Sequence, residues 1–131
     1  MDGLYRQLIV DHYKNPLHRG SLIDHNFSFE DENTLCGDFI HIDLKVNKDE
    51  KVVAAVFSGQ GCAISQASAD LLLDFIIGKS LGEVKALKRQ DMLNLLGIEL
   101  SPVRLKGALL PLKVVKAAIY GLEKTGDDLK K

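Results

Sequence analysis

The feature that most constrains the fold is a strict alternation of apolar and polar side chains from Ile40 to Val46. The even-numbered positions are all aliphatic: Ile40, Ile42, Leu44 and Val46. Because successive side chains of a strand point to opposite faces, the pattern predicts a strand with one buried face. Residues 47–50 form a polar turn, and the β-branched run from Val52 to Phe57 predicts the returning strand of a hairpin.

The segments around this hairpin supply one more strand and several helices. Phe27 and Phe29 alternate with polar residues and predict a short strand. A helix is predicted over residues 2–14, ended by Asn15-Pro16 because the residue before proline is disfavoured in a helix. The predicted later helices are 63–77, a short turn over 80–86, 91–96 and 109–122, the last with Pro111 in its first turn. Ser101-Pro102 is predicted to restart the chain with a cap and a first-turn proline.

Segregated strands and helices indicate an α+β fold: an N-terminal helix, a three-stranded antiparallel sheet, and C-terminal helices on one face. With 131 residues, the chain is expected to form a single domain over residues 1–131.

Charge and composition exclude several function classes. Seventeen Lys and Arg residues against eighteen Asp and Glu give a net charge of −1, so no basic excess favours nucleic acid or an anionic membrane. No apolar run approaches the roughly 20 residues of a membrane span, and no signal peptide is visible. We therefore expect a cytoplasmic protein, in which two cysteines serve metal or redox chemistry more readily than a disulfide framework.

Three residues near predicted turns could carry such chemistry. Cys36 and Asp38 lie two positions apart before the alternating strand, so their side chains share one side of an extended segment. Cys62 lies where the hairpin returns and a helix begins, and the N–H groups of a helix start stabilise a thiolate. Two thiolates and a carboxylate form a plausible metal site. The alternative is that both cysteines are simply small apolar residues.

At these positions the sequence resembles a known family. The opening Leu4–Pro16, the motif Asn33-Thr34-Leu35-Cys36-Gly37-Asp38 and the run Phe57–Ser68 are similar to the U-type iron–sulfur cluster assembly scaffolds (IscU, SufU and the N-terminal domain of NifU). Thr34 stands where the first family motif has proline. The segment Leu100–Lys106 resembles the one that leads to the family's third ligand cysteine.

The resemblance implies a scaffold or carrier rather than an enzyme with turnover of its own. In the family, three cysteines and the aspartate bind zinc or iron, or assemble a transient [2Fe–2S] cluster. The sulfur arrives as persulfide from a cysteine desulfurase, and the cluster passes to iron–sulfur acceptor proteins. By matching position, Cys36, Asp38 and Cys62 are the expected ligands.

The chain departs from the family at the third ligand, where Gly107 replaces the cysteine and Lys106 precedes it. Zinc sites and [2Fe–2S] clusters usually have four protein ligands. The missing donor could come from a second protomer, a glutathione-like thiol or a partner's cysteine. The first source predicts a homodimer when the protein is loaded with a cluster.

The four histidines are weaker candidates for the missing donor. His41 lies three residues from Asp38 on a strand and is expected to point to the opposite face. His12 is predicted to be a half-buried residue of the first helix. His18 and His25 lie in a polar loop and could reach the site.

Two other functions remain open. A degenerate member of the family could act as a binding or regulatory partner of the desulfurase without carrying a cluster, which Gly107 favours. A thiol enzyme with Cys62 as nucleophile is the other, although the sequence places no base beside that cysteine.

Overall fold

The computed structural model describes residues 2–34 and 37–120. Within those ranges the elements are α1 (Asp2–Lys14), β1 (Phe27–Asn33), β2 (Asp38–Val46), β3 (Val52–Gln60), α2 (Ala63–Ile76), α3 (Leu81–Lys85), α4 (Arg89–Leu96) and α5 (Pro102–Tyr120). The predicted α+β order is confirmed: a helix, three antiparallel strands in the order β1-β2-β3, then helices. Among the described helices, none is both long and apolar enough to cross a membrane.

The alternation that predicted β2 also defines the core. Ile40, Ile42 and Leu44 have no solvent exposure and line the face of the sheet that the helices cover. Helix α5 packs against β1 and β2, α2 packs against β3, and α1 packs on the outside of α2. Burial of this one apolar face therefore holds the sheet and the covering helices α2 and α5 together.

Strand β3 continues to Gln60, beyond the predicted end at Phe57. Its last residues still pair with β2, where Gly59 lies opposite Ile40. A Cβ at Gly59 would overlap the carbonyl oxygen of Phe39, and its φ of 150° disfavours other residues. The glycine that resembles a turn signal is thus a position where two backbones approach closely.

The prediction that the last helix begins at Leu109 is wrong. Helix α5 begins at Pro102, and Ser101 Oγ accepts a hydrogen bond from the backbone N–H of Arg104 (3.4 Å). Pro111 is therefore inside the helix and gives no N–H to the carbonyl of Gly107, four residues earlier. Pro111 is buried, and the packing of α5 against α2 and the sheet outweighs the local cost of proline. The predicted end at Leu122 lies outside the described residues.

The loop between α1 and β1 is tied to the helices by a buried carboxylate. Asp70 of α2 has no solvent exposure. It accepts hydrogen bonds from the imidazole of His12 (2.5 Å) and from the backbone N–H groups of Leu17 (3.1 Å) and His18 (2.8 Å). The loop then pairs with the edge of β3, because the N–H of Gly20 donates to a carbonyl of that strand (2.8 Å).

Replacing Asp70 with alanine is expected to lower the free energy of unfolding by about 3 kcal/mol, because buried donors lose their acceptor. Asp74→Ala is the matched control one helical turn away. That carboxylate is 56% exposed and, among the described residues, hydrogen-bonds only the His18 ring (3.0 Å), so its loss should cost less than about 1 kcal/mol. Urea unfolding of both variants measures the difference, and equal effects would contradict the anchoring role of Asp70.

A second polar cluster lies on the sheet face opposite the core. His41 Nδ1 lies 2.8 Å from Glu30, and its Nε2 lies 2.8 Å from the buried Asp43. Burial lowers the pKa of His41, but the hydrogen bonds and charges of Glu30 and Asp43 outweigh burial and raise it. Burial likewise raises the pKa of Asp43, but hydrogen bonds from the Leu22 N–H, the Ser28 hydroxyl and His41 lower it overall.

These pKa shifts predict a pH window for stability. The His41 contribution is complete below its ordinary pKa of 6.5 and is lost as pH rises through the raised folded value. The Asp43 contribution is present above its ordinary pKa of 3.8 and is lost as pH falls through the lowered one. His41→Gln should therefore destabilise the protein more at about pH 5 than at about pH 9, by about 1 kcal/mol. Denaturant unfolding at both pH values measures this, and a pH-independent difference would contradict it.

Candidate metal and sulfur site

Asp38 and Cys62 meet where β2 begins and α2 begins. Asp38 is fully buried, although it is the first residue of β2. Its Oδ1 accepts hydrogen bonds from the backbone N–H of Cys62 (2.8 Å) and from the hydroxyl of Ser65 (3.2 Å). A carboxylate at a helix N-terminus satisfies N–H groups that have no partner within the helix. This contact joins the two predicted ligands directly.

The second oxygen of the same carboxylate is left without a partner. Among the described residues, Asp38 Oδ2 is buried and accepts no hydrogen bond. A buried acceptor without a hydrogen-bond partner costs free energy, and such atoms are found at sites that bind a ligand or an ion. Asp38 is therefore held by one oxygen and offers the other.

Cys62 offers a sulfur atom beside that oxygen. It is the N-cap residue of α2, but its side chain makes no capping hydrogen bond. The thiol is free and partly exposed. Residue 107 faces both donors: a Cβ built on Gly107 would lie 2.6 Å from Asp38 Oδ2 and 3.5 Å from Cys62 Sγ. Gly107 thus packs closely against both donors, and a side chain at this position would have to displace the Asp38 carboxylate.

Cys36 lies outside the described residues. Within the described ranges, no three His, Cys, Asp or Glu side chains form a group that could hold a metal ion. The histidines are engaged elsewhere. His12 and His18 contact Asp70 and Asp74, and His41 contacts Glu30 and Asp43 as the strand geometry predicts. His25 Nδ1 donates to the Leu22 carbonyl (2.6 Å), so the possibility that a loop histidine joins Asp38 and Cys62 is not realised.

Sequence reasoning missed two residues that shape the site. Ser65 lies one helical turn after Cys62, and only the fold shows that its hydroxyl reaches Asp38. The other residue is Gly61. A Cβ there would lie 2.7 Å from the Cα of Asp38, and its φ is 132°. Gly61 is therefore the position that lets the two segments approach.

Gly61→Ala should displace Asp38 from Cys62 and lower the free energy of unfolding by about 2 kcal/mol or more, because backbone strain and overlap add. Gly82→Ala is the control: Gly82 lies in α3, where a Cβ would meet only Ser80 Oγ at 3.8 Å, and alanine favours helix by about 0.5–1 kcal/mol. Thermal unfolding of both variants measures the difference, and a Gly61→Ala protein as stable as the parent would disprove the close approach.

Known proteins resemble this chain over most of its length. The sequence matches the NifU-like N-terminal domain family over residues 4–127. It is 35% identical over 123 residues to the iron-sulfur cluster assembly scaffold protein IscU of Escherichia coli strain K12, covering 88% of this chain and 91% of that protein. It is 34% identical over 136 residues to the zinc-dependent sulfurtransferase SufU of Bacillus subtilis strain 168, with 91% of each protein covered.

A solved structure shows the same likeness. A crystal structure from Fervidobacterium islandicum AW-1, described as an iron-sulfur cluster assembly scaffold protein for the SUF system, is 29% identical to this chain. The two superpose with a TM-score of 0.76 over 86% of this chain and 94% of the other.

Proposed function

This chain belongs to the NifU-like N-terminal domain family, and from that premise we propose that it serves iron–sulfur cluster assembly as a scaffold that receives sulfur and metal. The observation that carries the proposal is that two potential donors lie on the same side of Gly107: the buried Asp38 Oδ2, which accepts no hydrogen bond among the described residues, and the free Cys62 thiol. The names of the relatives, a cluster assembly scaffold and a zinc-dependent sulfurtransferase, support the same chemistry.

The donor set fits zinc or iron. Thiolate sulfur and carboxylate oxygen are ligands that both metals accept. A Cβ built on Gly107 would lie close to both donors, so Asp38 Oδ2 and Cys62 Sγ lie on the same side of residue 107. We assign Cys62 and Asp38 as ligands, with Cys36 as the third because it lies two residues before Asp38 in the matching family motif. Zinc held there would fix the thiolates in place for sulfur transfer.

The sulfur step uses Cys62 as acceptor. The Cys62 thiolate attacks the outer sulfur of a persulfide on a cysteine desulfurase. A new S–S bond forms on Cys62, the S–S bond of the donor breaks, and the desulfurase cysteine leaves as thiolate. No net oxidation occurs. Release of this sulfur as sulfide is a two-electron reduction, in which two molecules of an external thiol form a disulfide and the Cys62 thiol is restored. The sulfide would then join iron as a transient [2Fe–2S] cluster, which is cargo for acceptor proteins.

A second candidate function follows from Gly107. Without the third cysteine, the chain could bind a cysteine desulfurase and regulate it without carrying a cluster. Uptake of sulfur and iron distinguishes the two functions, because the regulatory partner needs only the docking surface and neither ligand.

The test is anaerobic incubation of the full chain with a cysteine desulfurase, cysteine and ferrous iron. The expected result is a mass increase of one sulfur atom on Cys62 and bound iron and sulfide, both lost in Cys62→Ser. Ser68→Ala is the control, since Ser68 is a buried serine of the same helix whose hydroxyl makes no hydrogen bond among the described residues. Desulfurase binding without uptake of sulfur or iron would favour the regulatory function, and neither binding nor uptake would exclude both.

A further inference from the structure

A groove of about 450 Å³ opens beside Cys62, between α1 and the start of α5. We call it the Cys62 groove. Its lining includes three aliphatic residues, two arginines and the cysteine: Ile9, Val10, Ile98, Arg6, Arg104 and Cys62. Its volume lies within the range of about 300–1,000 Å³ that small-molecule sites occupy.

The charges of the groove are uncompensated. Arg6 and Arg104 are exposed, and neither forms an ion pair within residues 2–34 and 37–120. A guanidinium binds a carboxylate through two parallel N–H donors. An apolar wall with two such cations therefore suits a small organic anion with a short carbon chain.

The groove also lies next to Gly107, the position at which the family resemblance leads one to expect a third ligand cysteine. Cys62 lines the groove and faces the space at Gly107. Arg104 lies three residues before Gly107 on α5, so the two positions share one side of that helix. A molecule in the groove could thus reach the metal site with one end and the arginines with the other.

We propose that a low-molecular-weight thiol bearing a carboxylate binds in the Cys62 groove and supplies the donor that Gly107 does not. Its carboxylate pairs with Arg6 and Arg104, its carbon chain lies on the aliphatic wall, and its thiolate completes the ligand set, with the thiol proton released to solvent. This inference rests on the proposed function, because it needs a metal held by Cys62 and Asp38.

The charges favour a small molecule over a second copy of the chain. A two-fold contact through this groove would bring Arg6 and Arg104 of both copies together, and like charges facing each other oppose such a contact. A small carboxylate neutralises the same arginines. The groove therefore favours the external thiol over the cluster-bridged homodimer as the source of the missing ligand.

The experiment titrates cobalt(II) into the full chain without oxygen, in the presence of mercaptopropionate, mercaptoethanol or cysteamine, which present an anionic, a neutral and a cationic thiol. The thiolate-to-cobalt absorption band and the cobalt affinity are the readouts. Mercaptopropionate should tighten cobalt binding about fivefold more than mercaptoethanol, as two exposed ion pairs can supply, and cysteamine should help least. About 1 M salt should reduce this preference.

Variants separate charge at the groove from charge in general. Arg6→Ala/Arg104→Ala should remove the preference for the anionic thiol. Lys48→Ala/Arg89→Ala removes the same charge from the β2–β3 turn and α4, outside the groove lining. This control variant should retain the preference for the anionic thiol. Gly107→Cys supplies the thiolate within the chain, so added mercaptopropionate should no longer tighten binding. Because a Cβ there lies 2.6 Å from Asp38 Oδ2, the arginine variants carry the test if Gly107→Cys does not fold.

The outcomes distinguish this inference from the function on which it rests. Cobalt binding that needs Cys62 but shows no thiol preference, or the same preference after loss of both arginines, overturns the thiol site and leaves the scaffold function standing. A cobalt-loaded dimer on sizing chromatography with no thiol bound assigns the donor to a second copy and also overturns it. Cobalt binding that is unchanged in Cys62→Ser removes the metal site itself.

Discussion

The site depends on one interaction, the hydrogen bonds that Asp38 Oδ1 accepts from the Cys62 N–H and the Ser65 hydroxyl. They join the start of β2 to the start of α2, two segments that meet only because the whole hairpin lies between them. The carboxylate satisfies donors that a helix N-terminus otherwise leaves to water. Since the contact uses one oxygen, the other stays available inside the protein.

Glycines decide how closely the elements around Asp38 approach. Gly61 lets the chain pass against the backbone of Asp38, and Gly107 lets α5 approach the second carboxylate oxygen and the Cys62 sulfur. A side chain at either position would change the site by occupying volume. The same residue type therefore has a structural role at one position, and at the other it removes a ligand that the family resemblance leads one to expect.

The loss at Gly107 links the site to its surroundings. A protein-only ligand set would need little from the surface nearby, whereas an incomplete one depends on what can approach Cys62. The residues that control this approach come from α1 and α5, where Arg6 and Arg104 flank an aliphatic wall. The charges of these two arginines then select which external molecule supplies the missing ligand. The electrostatics of the surface thereby affect metal binding at the buried Asp38.

Local pattern determined the elements, because alternation and turn chemistry act over a few residues: β2 with Ile40 and Ile42 inward, the α+β order, and the motifs around Asp38 and Cys62. Where local rules and packing compete, packing decided. Pro111 lies inside α5 because its buried ring gains from contacts that a local rule does not see, and β3 passes Gly59 because a neighbouring strand needs the space. The sequence by itself thus determined the strands, the helices and the kind of donors. Only the tertiary structure decided that Asp38 is buried with one free oxygen and that Gly107 faces it. It also decided that two arginines far apart in the chain flank Cys62. Side chains so distant in sequence are brought together only because the elements that carry them bury a shared core.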